Sequence, residues 1–135
     1  MRSYAGVTLS MVRRVSRLLV CIPTYNEAEN ILPLVEQVHA ALPDADVLVI
    51  DDASPDGTGD LVRERMFKDA RLTIMARQGK LGLGTAYMAG FAYGLQHDYT
   101  CVTTMDADFS HAPHRLPALV QPVEDAAHPA AGAPY

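Results

Sequence analysis

Four short apolar runs punctuate the chain: residues 18–22 (LLVCI), 47–50 (VLVI), 72–75 (LTIM) and 100–105 (TCVTTM). The first two lack the apolar/polar alternation of a strand with one wet face, so they suit strands covered on both sides. Between the runs lie segments of helical period. From Glu27 onward, Ile31, Leu34, Val35, Val38 and Leu42 recur at spacings of three and four, a single buried stripe, until Pro43 closes it. Leu61, Val62, Arg65 and Met66 suggest a second helix. The segment TAYMAGFAYGLQ is rich in small and aromatic residues and suits a helix packed tightly on a sheet, which would explain Gly90 and Gly94. Leu116, Leu119, Val120 and Val123 mark a last helix, opened by Pro113 and interrupted by Pro117 or Pro122. The order βαβαβαβα specifies an α/β fold, a mostly parallel sheet layered between helices.

In such a sheet, ligands bind beyond the carboxyl ends of the strands. Each chemically informative segment follows a strand: PTYNE the first, DDASPDG the second, RQGKLGLG the third and DADFSH the fourth. All are expected to converge on one edge, although strand order cannot be read from the sequence.

Composition narrows the function. With 135 residues, 49% of them hydrophobic, the chain supports one domain with a real core. A net charge of −5 disfavours nucleic-acid binding through phosphate neutralisation. Cys21 and Cys101 lie inside apolar runs, where a thiol acts as a small hydrophobe, and two such residues make no disulfide framework. No apolar run approaches the roughly 20 residues that span a bilayer. Residues 1–16 are expected to be a disordered extension, residues 17–125 the domain, and residues 126–135 a frayed tail.

DADFSH is the sharpest local signal. Asp106 and Asp108 flank a small residue, so in a bent or extended segment both carboxylates can address one ion, with Ala107 leaving room for a ligand. Hard oxygen donors suit Mg²⁺ or Mn²⁺, with water and substrate phosphates completing the shell. A solvated Asx turn after a strand is the alternative. Asp51, Asp52 and Asp56 form a second acidic group; Asp52 is the best placed to accept hydrogen bonds from a ribose or a base, whereas Asp56 reads as a cap of the second helix. Tyr25 can cover a nucleobase and Glu27 accept from it, or Asn26 is an N-cap followed by first-turn acids. Lys80 and Arg77 either meet diphosphate charge or sit on a solvated loop. The loop matches neither GxxxxGK[ST] nor GxGxxG, which disfavours a P-loop or nicotinamide enzyme. His111 and His114 fit no zinc pattern, and no nucleophilic serine motif is present.

Taken in order, VCIPTYNEAENI, VIDDASPDGTGD, RQGKLGLGTAYMAGF and MDADFSHAP resemble the dolichyl-phosphate mannosyltransferases, or polyprenol monophosphomannose synthases, among the inverting family 2 glycosyltransferases. KLGLGTAY together with DADFSHAP points to the polyprenyl-phosphate branch. The resemblance implies a GT-A type, Rossmann-like nucleotide-binding fold and transfer of mannose from GDP-mannose to a dolichyl or polyprenyl phosphate with inversion. By motif position, Pro23, Tyr25, Glu27, Ile50 and Asp52 would hold the guanosine, and Lys80 is a further substrate contact. Asp106 and Asp108 would hold Mg²⁺ or Mn²⁺ against the diphosphate beside Ala107. Ser110 stands where some members place a Gln as third metal contact. The nucleophile, a phosphate oxygen, is already ionised at neutral pH, so a strong general base is not required.

Family members continue into a segment like GSR and further basic residues that meet the acceptor. Nothing after Val123 resembles that, so the fold is expected to be incomplete at its C-terminus. A lipid acceptor implies a cytoplasmic protein peripheral to the membrane, attached to its surface or to a membrane-protein partner. The alternatives are a family 2 enzyme with another nucleotide-sugar donor, or an inactive nucleotide-sugar-binding module.

Overall fold

The computed structural model describes residues 17–108. Its centre is β1 (Leu18–Thr24), in which Leu19 and Cys21 point to one side and Val20 and Ile22 to the other, all at most 1% exposed. That two-sided burial is why the run carries no polar alternation. β2 (Asp46–Asp51) repeats the pattern, with Val47 and Val49 on one face and Leu48 and Ile50 on the other. With β3 (Leu72–Ala76) and β4 (Cys101–Thr104) they make a four-stranded, all-parallel sheet in the order β3-β2-β1-β4.

Three helices connect the strands: α1 (Ile31–Ala41), α2 (Thr58–Met66) and α3 (Leu83–Gln96). The chain steps outward from β1 to β2 to β3 and then returns across β1 to β4. For crossovers of one hand, that reversal moves the third helix to the opposite face. Accordingly Ile31, Leu34, Val35 and Val38 of α1 and Val62 of α2 pack with Val20, Ile22, Val47 and Val49, whereas Ala86 and Tyr93 of α3 pack with Leu19, Cys21, Leu48 and Ile50.

The glycines of α3 set its distance from the sheet. A Cβ on Gly90 would lie 2.8 Å from Cys21 Sγ, and one on Gly94 would lie 2.5 Å from Val102 Cγ2. The close packing expected at these positions is present. Cys21 and Cys101 are buried free thiols, and burial pushes the Cys21 pKa up to about 12, so it behaves as a hydrophobe.

One helix start is corrected. The alternative in which Asn26 caps the first helix fails because α1 begins at Ile31 after Asn30. Asn26 instead takes a left-handed turn, with φ 58°, and its N–H donates to Ser54 Oγ. Asn is among the few non-glycine residues that accept this conformation readily. The expected helix around Leu116 to Val123, and the extension before residue 17, lie outside the described residues.

Candidate active site

The carboxyl ends of the strands meet in a cleft of about 280 Å³, near the lower end of small-ligand pockets, about 300–1,000 Å³. It is lined by residues that follow β1, β2 and β4, where the strand order reverses around β1, the switch point at which open α/β sheets bind ligands. Backbone bonds past the strand ends fix its walls. The Met105 N–H donates to Cys21 O at 3.0 Å, the Asp52 N–H to Thr24 O at 3.1 Å, and the Arg77 N–H to Asp51 O at 2.8 Å. Each loop therefore leaves the sheet in step with its neighbour.

Of the residues expected at the site, Pro23, Tyr25, Glu27, Asp52, Lys80, Asp106, Ala107 and Asp108 all line this cleft. The side chain of Ile50 does not: it is fully buried, packed towards Gly90 of α3. Ser110, with His111 and His114, lies outside the described residues.

The acids of DDASPD have three separate roles. Asp51, 3% exposed, accepts from Thr24 Oγ1 at 2.7 Å and from the N–H and Oγ of Ser54, so it builds the turn. Asp56 accepts from the N–H and hydroxyl of Thr58 at the start of α2 and from the Ala28 N–H. It thus ties the PTYNE loop to the DDASPDG loop, and the Thr58 hydroxyl above all holds its carboxyl below the usual range. Asp56 is not the N-cap expected of it: that position is Gly57, which has no side-chain cap bond, and Asp56 just before it takes the first helical N–H. Asp52 alone of the three faces the cleft.

Asp52 is not bare. Arg77 grips it with two bonds, Nε to Oδ1 at 2.6 Å and a terminal nitrogen to Oδ2 at 2.9 Å, and the Leu81 N–H adds a third at 3.1 Å. The pair is shielded, with side chains 10% and 9% exposed. Arg77 also donates to Thr85 Oγ1 and Gly82 O, so it pins the Gly-rich loop beside the cleft. Both readings of Arg77 from sequence, a diphosphate contact or a solvated charge, are corrected: it is an internal fork committed to a carboxylate and a loop. A carboxylate offers about four acceptor positions, so Asp52 retains capacity for one further donor. Lys80, exposed, lies 4.7 Å from the Tyr25 ring centroid and makes a cation–π contact at the cleft.

At the other wall, Asp106 follows β4, half-buried, and Asp108 is exposed. Tyr87 of α3 donates its hydroxyl to Asp106 Oδ1 at 3.0 Å. Burial first, then Asp106, raises the Tyr87 pKa, which keeps the phenol a neutral donor. Sequence pattern gave this tyrosine only to packing; a phenol early in an otherwise uncharged helix, just after the Gly-rich loop, was its one available signal. No group of three or more His, Cys, Asp or Glu able to hold a metal occurs among the described residues. Two hard carboxylates on a cleft nevertheless fit Mg²⁺ or Mn²⁺, ions that usually take one or two protein carboxylates and leave the remaining positions to phosphate and water.

The family model for glycosyl transferase family 2 matches residues 19–134. The chain belongs to that family. It is 48% identical over 132 residues, 97% of its length, to polyprenol monophosphomannose synthase of Mycolicibacterium smegmatis, of which it covers 50%. It is 47% identical over 110 residues, 82% of its length, to undecaprenyl-phosphate mannosyltransferase of Micrococcus luteus, of which it covers 45%. The chain thus spans about half the length of these curated relatives. Among solved structures it resembles the mannosyltransferase PcManGT of Pyrobaculum calidifontis in complex with GDP-Man and Mn²⁺. That likeness has a TM-score of 0.64 and 28% identity, over 84% of this chain and 33% of that one. Staphylococcus aureus TarS shares the fold, with a TM-score of 0.62 at 22% identity over 81% of this chain and 32% of that one. The expected GT-A type fold is therefore the one the family 2 chain adopts. No helix among the described residues is long and apolar enough to cross a membrane.

Proposed function

We propose that this family 2 chain is the nucleotide-sugar-binding part, residues 17–125, of an enzyme that transfers mannose with inversion from GDP-mannose to a polyprenyl or dolichyl phosphate. The observation that carries the reading is the convergence of Asp52, Glu27, Tyr25, Asp106 and Asp108 on one cleft at the switch point. Similarity to relatives named for polyprenol and undecaprenyl-phosphate mannose transfer, and to a structure holding GDP-Man and Mn²⁺, supports the choice of substrates.

In this reading Tyr25 covers the guanine, Asp52 and Glu27 accept hydrogen bonds from the nucleoside, and Lys80 lies towards the diphosphate. Asp106 and Asp108 hold the divalent ion, with Ala107 between them small enough for close approach and Ser110 as a third contact. When bound, that ion supplies positive charge to the departing diphosphate, an interaction stronger in the transition state than in the ground state. The acceptor phosphate is already ionised at neutral pH and needs no deprotonation. Because the acceptor is a lipid, the protein works at the cytoplasmic side of a membrane, peripherally or on a membrane-protein partner.

Calorimetry with Mn²⁺ across a panel of nucleotide sugars tests the donor. GDP-mannose is expected to bind at least about ten times tighter than UDP-sugars, a difference of about 1.4 kcal/mol; preference for a uridine donor would overturn the assignment. Product from GDP-mannose and a short polyprenyl phosphate would establish turnover. Donor binding without product would instead make the chain a binding module.

A further inference from the structure

We infer that Tyr87 is a positioning residue for Asp106: its hydroxyl holds one carboxylate oxygen and so fixes the side-chain rotamer in which Asp106 faces the cleft. The inference deepens the proposed function, since it rests on Asp106 being a metal ligand there.

Three residues of α3, at spacings of three and four, seat the helix on the sheet. Gly94 lies against Val102 of β4, Gly90 against Cys21 of β1, and Tyr87 reaches Asp106 just beyond the end of β4. The two glycines let the helix come close enough that a Cβ at either would clash with the strand beneath. The same closeness brings the phenol within 3.0 Å of Asp106 Oδ1. A tyrosine side chain has only two main torsions, and this one is half-buried at the root of a helix anchored by packing, so it is a stiff strut. Asp106 sits past the last β4 residue, next to Met105, whose N–H donates to Cys21 O. A carboxylate can accept this bond and still ligate, having about four acceptor positions. Metal ligands are commonly oriented by hydrogen bonds of this kind, and losing one typically weakens metal affinity about 10–100-fold.

Tyr87→Phe keeps the ring and removes only the bond. Mn²⁺ binding to the full 135-residue chain, followed by electron paramagnetic resonance in the presence of GDP, is expected to weaken about 10-fold in Y87F. GDP affinity in chelator and the thermal midpoint are expected to stay as in the wild type. In an Asp106→Asn background, Y87F is expected to change Mn²⁺ affinity no further, because the bond acts through that carboxylate. Three results would overturn the inference alone: wild-type Mn²⁺ affinity in Y87F, an equal loss of GDP affinity with and without metal, or an undiminished effect in the D106N background. Failure of the wild type itself to bind Mn²⁺ would overturn the metal-site reading, and the inference with it.

Discussion

The two ends of this sheet use their acids differently. At the end where the strands begin, Asp46 and Asp69 are matched by partners within the fold. Asp46 accepts from the Tyr99 hydroxyl and faces Arg17, whose guanidinium lies 4.2 Å from the centre of the Tyr99 ring. Asp69 is bound by Arg71, which also donates to Pro43 O, and lies 3.2 Å from His39. Burial first, then the Arg71 charge, nonetheless hold the His39 pKa below the ordinary value. At the end where the strands finish, Asp51 and Asp56 are likewise spent on loops, but among the described residues the cleft gathers Glu27, Asp52, Asp106 and Asp108, with Lys80 on its lining and Arg77 bound to Asp52. The contrast teaches that clustered acids do not by themselves mark a ligand site. Excess negative charge around a cavity does, because folding alone gives no reason to bring like charges together.

The contrast can be broken most sharply at Asp52, which belongs to both categories. Asp52→Asn leaves the shielded Arg77 guanidinium without its counter-charge and is expected to cost about 3 kcal/mol in urea unfolding, as well as weakening GDP binding. Adding Arg77→Met is expected to restore most of the stability and none of the binding. Recovery of both would mean that Asp52 serves only the loop. A smaller effect is expected at the opposite end: Asp46→Ala removes a half-exposed carboxylate from Tyr99 and Arg17 and should cost about 1 kcal/mol, with GDP affinity unchanged. A loss of nucleotide affinity there would show that the two ends are not independent.

Much of the fold was legible because apolar runs such as LLVCI and VLVI can be satisfied only by strands buried on both faces, and the helices between them force parallel pairing. The strand order was not, since periodicity tells which face a residue takes and says nothing of which strand lies beside it. At the site, the resemblance assigned Asp52 to the nucleoside, but its partner Arg77 is 25 residues away and its bond to Leu81 spans 29. Tyr87 and Asp106 are 19 apart and meet only because α3 lies close on the sheet. Local pattern carries no record of such pairs. The displaced start of α1 has a local cause, the left-handed turn at Asn26, which the Ser54 hydroxyl of another loop stabilises.

Calorimetric titration of GDP in Mn²⁺ and in chelator measures directly whether Asp106 and Asp108 bind a divalent cation together with a nucleoside diphosphate, as proposed. The wild-type chain is expected to bind GDP at least about ten times tighter with Mn²⁺, about 1.4 kcal/mol, and Asp106→Asn or Asp108→Asn to abolish that gain while leaving the metal-free affinity in place. Retention of the full Mn²⁺ enhancement by both variants would contradict it.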